Sequence, residues 1–223
     1  SRSMLPSKAT LLSSAREITL KFGTKSNGRY ILPSLPLMDE YHRAVLVREI
    51  MEGLKVSAGK RYIDATVGGG GHGWEIVKRG GVLFGIDVDE EALEFTKQKF
   101  EVGSETLEKT ENWMLVQGNF RDIEKIAKEY EFDNADGILF DLGVSSHQID
   151  TPERGFSFRY PEAHLDLRMD PTGGIPASEK IGHLSTEELY EIFAKYGEEK
   201  LARPIAHAFV RARRIRAITT VGE

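Results

Sequence analysis

The stretch YIDATVGGGGHG, residues 62–73, ends an apolar run on an acid and then places five glycines in six positions. A short buried strand followed at once by bare backbone is the pattern of a strand that turns tightly into a helix. Working outward, the same alternation repeats. KRYIDAT (residues 60–66) reads as the strand, and a helix follows the glycines through Trp74, Ile76 and Val77. GVLFGIDVD (81–89) is a second strand, and EEALEFTKQKF (90–100) is a helix whose acids come first and lysines last, the order a helix dipole favours. NWMLVQGNF (112–120) and RDIEKIAKEY (121–130) supply a third strand and helix, and ADGILFDLG (135–143) a fourth strand. The last is nearly continuous in apolar residues, as when both faces of a strand are covered. Ahead of them all, YHRAVLVREIMEGL (41–54) sets Val45, Leu46, Ile50 and Leu54 at helical spacing. Alternating strands and helices predict a parallel, doubly wound α/β sheet.

After Gly143 the pattern changes. Residues 144–179 mix charges, aromatics, proline and glycine without a period, and the segment is too long for a plain connection. Helices resume at STEELYEIFAKYG (185–197), where Ser185 and Glu188 form a capping-box pattern and Gly197 is the expected stop. A basic helix is expected from about Pro204 to Arg216, with proline tolerated in its first turn. The division that follows is an arm over residues 1–36, a core over 37–147 and a helical subdomain over 148–223.

Composition bounds the function. The chain has 223 residues, 40% hydrophobic and 29% charged, which is long enough for a real core and ordinary for a globular protein. No apolar run is long enough to cross a bilayer, so no membrane role is expected. The absence of cysteine removes disulfides, thiolate metal sites and a cysteine nucleophile, and no metal site is expected. The net charge is −5, but two regions are basic. The arm carries Lys8, Arg16, Lys21, Lys25 and Arg29, and the C-terminal end carries Lys200, Arg203, Arg211, Arg213, Arg214 and Arg216. Each is either a solvated face or a nucleic-acid contact.

The ligand of the glycine loop is argued from charge. Gly68, Gly70 and Gly73 satisfy G-x-G-x-x-G, and Asp87 ends the next strand near the offset of a ribose-binding acid. A dinucleotide would set a pyrophosphate at the helix start. Asp64, at the strand end beside the loop, would repel it, and TVGGGGHG has no lysine for a phosphate-cradling loop. S-adenosylmethionine carries no phosphate and presents an ammonium and a sulfonium, so the acid helps. Asp87 then accepts the ribose hydroxyls. Phe120 is either an adenine-stacking ring or a core aromatic. Asp141 ends strand four at the carboxyl edge, where open α/β sheets bind ligands.

At this point four stretches together resemble a known family: YHRAVLVREIMEGL, YIDATVGGGGHG, DLGVSSHQIDTPERGFSF (141–158) and LDLRMDPTGG (165–174). They are similar to the bacterial 16S ribosomal RNA (cytosine-N4)-methyltransferases of the MraW type, which have mitochondrial relatives. The likeness runs from Tyr41 to Thr220. It implies a Rossmann-like methyltransferase core with an inserted helical substrate-recognition subdomain, and further sheet strands beyond the position of Glu223. It implies S-adenosylmethionine held by Gly70, Gly71, His72, Asp87, Phe120, Asp141 and Gln148; His72 and Gln148 rest on the resemblance alone. It implies the small ribosomal subunit as partner and a bacterial-type cytoplasmic location, with the mitochondrial matrix as the alternative. A homodimer is left open.

Methyl transfer to an exocyclic amine needs the nitrogen held behind the methyl carbon. Asp141, Ser145 and Ser146 are the candidates to accept a hydrogen bond from that amine. Arg154, Phe156 and Phe158 in ERGFSF, with Arg168 beyond, are candidate contacts to an unstacked base and its backbone. The alternatives are a methyltransferase of DNA or a small molecule, and a non-catalytic RNA-binding protein with a methyltransferase-like shell.

Overall fold

The computed structural model describes residues 24–26, 29–31, 44–106 and 112–223. The chain divides after Glu40 into two units, taken separately. In the first, β1 (Thr24–Ser26) pairs antiparallel with β2 (Arg29–Ile31), Thr24 lying opposite Ile31. The side chains of the basic arm lie outside the described residues, as do residues 41–43 of the first expected helix.

The second unit, Tyr41–Glu223, holds the alternating pattern. Its elements are α1 (Val47–Gly53), β3 (Arg61–Asp64), α2 (Gly71–Lys78), β4 (Val82–Asp87), α3 (Glu90–Thr106), β5 (Trp113–Gln117), α4 (Ile123–Glu129) and β6 (Gly137–Leu139). The four strands make one parallel sheet in the order β5-β4-β3-β6. The order reverses between β3 and β6, so the carboxyl ends of β3, β4 and β6 face one crevice, the usual ligand position in an open α/β sheet.

Period-two alternation sorts the core into two layers. Tyr62 and Leu83 point to one face and pack with Met51 of α1, Ile76 and Val77 of α2 and Phe100 of α3. Ile63, Phe84 and Ile86 point to the other and pack with Ala127 of α4 and Phe132. Helices therefore cover both faces, as the alternation predicts. Tyr62 is fully buried because its hydroxyl is satisfied, donating to the Lys55 carbonyl at 3.1 Å and accepting from the Ser57 amide at 3.1 Å.

Two expectations change. Strand four is not covered on both faces among the described residues: Leu139 is buried, while Ile138 and Phe140 are 48% and 45% exposed. The first helix is shorter than its pattern, because Leu46 takes a left-handed conformation (φ 53°) directly before it.

Beyond the sheet come α5 (Ser146–Asp150), α6 (Ala177–His183), α7 (Thr186–Lys195) and α8 (Ala202–Ile215). Ser185 and Glu188 cap α7 reciprocally, as expected. The helix ends before Gly197, as expected, with Tyr196 as its C-cap, and Glu198, not Gly197, turns left-handed (φ 48°). Pro204 sits in the first turn of α8, where its missing N–H costs nothing. α8 lies against α7 through Phe193 and Phe209, ring centroids 5.5 Å apart, and through Arg203, 3.2 Å from Glu187. The irregular segment between α5 and α6 is tied into the fold. Residues 163 and 165 bond to residues 221 and 219 near the chain end. A Cβ on Gly155 (φ 73°) would stand 2.5 Å from the His164 carbonyl, so two chain segments cross there on bare backbone.

Candidate functional site

The glycine turn is built from both sides. Gly68 and Gly70 are left-handed (φ 47° and 68°), which glycine adopts freely and other residues rarely. The Gly68 N–H donates to Asp87 Oδ2 at 2.8 Å. The Gly68 carbonyl accepts from the Thr96 hydroxyl at 2.5 Å and the Gly69 carbonyl from Lys99 Nζ at 3.0 Å, both on α3. The glycines serve different ends. A Cβ on Gly70 would come within 2.6 Å of Thr96 and 2.8 Å of Phe100, and one on Gly73 within 2.8 Å of Leu83. These two let α2 and α3 close on the sheet. At Gly68 the nearest atom would be 3.8 Å away, so that position opens on space.

That space is a cavity of about 530 Å³. Its wall takes Gly68, Gly69, Gly71 and His72 from the turn, Asp87 and Val88 from the end of β4, Asn119 and Phe120 after β5, and Asp141 to Ser145 after β6. Gln148 and Met169 complete one side. Among the described residues its lining contains the acids Asp87 and Asp141 but neither lysine nor arginine. Asp87 is locked by two backbone amides, Gly68 on one oxygen and Asp89 at 3.0 Å on the other. Burial outweighs those bonds and raises its carboxyl above the ordinary value. The Asp141 amide donates to Thr66 Oγ1 at 2.7 Å, and its carboxylate stands 3.6 Å from His72 Nε2. Phe120 is 42% exposed at the rim, edge-on to Phe140 with centroids 5.9 Å apart.

Among the sequence candidates the cavity thus gathers Gly68, Gly71, His72, Asp87, Phe120, Asp141, Ser145 and Gln148. Others fall elsewhere. Gly70 is a packing glycine. Asp64 is buried beneath the loop with its carboxylate accepting from the Thr66 amide at 3.2 Å, and it does not line the cavity. Burial, the largest effect, and the neighbouring Asp87 and Asp141 push the Asp64 carboxyl up to about 7, against the Thr66 hydrogen bond. Ser146 is exposed on the first turn of α5 and off the cavity. Phe158 is 90% exposed and Phe156 half-buried, and neither lines this cavity.

Arg154 departs furthest from expectation. It is buried, with Nη1 2.8 Å from the fully buried Asp89 and Nη2 donating to the carbonyls of Arg168 and Met169 at 3.2 and 2.7 Å. Its guanidinium is committed inside the protein. Arg168 pairs with Asp166, Nη2 to Oδ2 at 2.7 Å, and lines a second cavity of about 850 Å³. That cavity shares Val88, Gly118, Asn119 and Met169 with the first, and its wall includes the exposed cations Arg121 and Lys180.

Sequence reasoning missed Asp89, which it left at the end of the second strand, and Thr96, Lys99 and Met169, which carry no local signal. The pairing of Ser145 with Gln148 was available. Ser145 Oγ accepts from the Gln148 amide at 3.1 Å and Gln148 Oε1 from the Ser145 amide at 3.0 Å, the S-x-x-Q form of a capping box.

The parallel sheet, its reversal point and an acid-lined crevice with a glycine turn define an open α/β protein of the Rossmann-like nucleotide-binding class. The chain belongs to the MraW methylase family, whose pattern it matches over residues 39–223. It is 43% identical over 175 residues to the ribosomal RNA small subunit methyltransferase H of Syntrophotalea carbinolica, covering 77% of this chain and 54% of that protein. It is 42% identical over 186 residues to the enzyme of the same name from Symbiobacterium thermophilum, covering 82% and 56%. The chain thus spans about half the length of the curated relatives it matches. A solved protein-L-isoaspartate O-methyltransferase superposes with a TM-score of 0.30 at 17% identity, over 44% of this chain and 28% of that one, too slight a likeness to carry an argument.

Proposed function

We propose that this chain carries the cofactor-binding part of an S-adenosylmethionine-dependent RNA methyltransferase acting on the exocyclic N4 of a cytosine in small-subunit ribosomal RNA. One observation carries the cofactor reading: the Gly68 amide, which a pyrophosphate would need, is already spent on Asp87, in a cavity whose described lining holds Asp87 and Asp141 but no lysine or arginine. Such a wall suits a cationic adenosyl donor and repels a phosphorylated one. The family and the names of its relatives support the reaction class and the substrate.

S-adenosylmethionine supplies an electrophilic methyl on a sulfonium. The protein's residues bind and orient. Asp87, held by two amides, would accept hydrogen bonds from the ribose hydroxyls, Phe120 would hold the adenine, and Gly68, Gly69 and Gly71 would leave bare backbone for the amino-acid end. Asp141, just past the carboxyl end of β6, would accept a hydrogen bond from the acceptor amine and so orient it. Ser145 keeps its hydroxyl hydrogen to donate, because its oxygen caps α5. Residues 148–223 form the substrate-recognition subdomain appended to the 37–147 core. The second cavity, with Arg121, Arg168 and Lys180, takes RNA flanking the target base, and its cations meet phosphates. The small ribosomal subunit is the partner, and a bacterial-type cytoplasm the setting.

Calorimetric titration with S-adenosylhomocysteine tests the cofactor site: wild type binds, and Asp87→Ala loses about 100-fold in affinity, the cost of hydrogen bonds to a charged group. Wild-type affinity in that variant would refute the assignment. Nucleoside mass spectrometry after incubation with small ribosomal subunits, duplex DNA or small-molecule acceptors tests the substrate. N4-methylcytidine in the ribosomal RNA is expected; methylation of DNA alone would overturn the reading.

A further inference from the structure

The Arg154 guanidinium joins three segments that the sequence keeps far apart. Nη1 meets the buried Asp89 at 2.8 Å and Glu91 at 3.3 Å, both at the start of α3. Nη2 donates to the carbonyls of Arg168 and Met169. Asp89 Oδ2 also accepts from Gln148 Nε2 at 2.9 Å, and Gln148 is bound back to Ser145 on the cavity wall. The backbone N–H of Asp89 donates to Asp87 Oδ1. One buried carboxylate is therefore the hub through which Arg154 and Gln148 set the turn that aims Asp87. The same guanidinium fixes Met169, which stands on the wall of both cavities. A lysine could keep the charge but not the fork, since only a planar guanidinium reaches an acid and two carbonyls in fixed directions.

We infer that Arg154, acting through Asp89, is a positioning residue that fixes the orientation of Asp87 and so sets the site's discrimination for the two ribose hydroxyls of an adenosyl ligand. The inference rests on the cofactor reading above, and it deepens it by assigning specificity to a residue that lines neither cavity.

The test compares the affinities of S-adenosylhomocysteine and its 2′-deoxy analogue by calorimetry. Wild type is expected to bind the deoxy analogue about tenfold or more weakly, the worth of one hydrogen bond to a carboxylate. Arg154→Lys should fold, as judged by circular dichroism, and its ratio should fall to about threefold or less. Asp89→Asn, which keeps the side chain's shape and removes its charge, should give the same fall, so the result does not hang on one variant folding. Leu189→Ala, a buried residue of α7 away from the clip, should lower the melting temperature and leave the ratio at its wild-type value. An unchanged ratio in Arg154→Lys and Asp89→Asn, or an equal fall in Leu189→Ala, would overturn the inference while leaving the cofactor reading intact. No binding of S-adenosylhomocysteine by wild type would overturn both.

Discussion

Asp64 binds its proton more tightly in the folded chain than in the unfolded one, because burial pushes its carboxyl up to about 7. Its contribution to stability is complete below the ordinary carboxylate range and is lost as pH rises to about 7, on the order of 4 kcal/mol in all. Asp64→Asn removes that slope. In urea titrations across this window, wild type should lose stability relative to the variant as pH rises; parallel curves would rule the effect out. On the proposed cofactor reading, the same residue should make binding pH-dependent. A cation placed near Asp64, Asp87 and Asp141 favours ionised Asp64, so S-adenosylmethionine should bind more tightly as pH rises toward about 7. The thioether product, without the sulfonium charge, should gain less, and calorimetry at several pH values separates them. Asp64 lies beneath the loop and off the cavity wall, so any such effect would be one of charge and not of contact.

At the scale of elements, the glycine turn is held by α3 as much as by its own conformation. Gly70→Ala meets both a left-handed φ and the Thr96 and Phe100 side chains, whereas Gly68→Ala meets strain alone. Thermal unfolding should show the Gly70 variant losing about 3 kcal/mol or more and the Gly68 variant about 1–2. The strands of this region were legible because Tyr62-Ile63 and Val82-Leu83-Phe84 sit in short apolar runs that end on acids and turn residues, a signal visible whatever surrounds them. The end of α7 was legible too, since Gly197 directly follows the cap Tyr196; what was not is that Glu198, and not the glycine, takes the left-handed turn. Local preference there is worth about 1 kcal/mol, small enough for the packing of α7 on α8 to decide.

For the whole molecule, the buried Asp89–Arg154 pair binds the irregular segment to the sheet. Arg154→Met leaves Asp89 buried without its cation and should destabilise the chain by about 3–5 kcal/mol in chemical denaturation. The second cavity gives a separate prediction. Arg121→Ser with Lys180→Ser, both exposed, should weaken binding of a short single-stranded RNA and flatten its salt dependence while S-adenosylhomocysteine affinity stays unchanged. Fluorescence anisotropy at graded salt checks it, and an unaltered salt slope would remove that cavity from the RNA path.

What the sequence determined alone is the parallel α/β core, the glycine turn and the positions of Asp87 and Asp141, because short apolar runs and strand-end chemistry are local properties. The tertiary structure decided which acids reach the cavity and which lie beneath it. It also turned Arg154 from a candidate RNA contact into an internal clip. The physical reason is that a guanidinium looks alike in sequence whether it faces solvent or a carboxylate brought in from a distant strand end. Only the folded chain shows that Asp89, buried at the head of α3, needs that cation as partner.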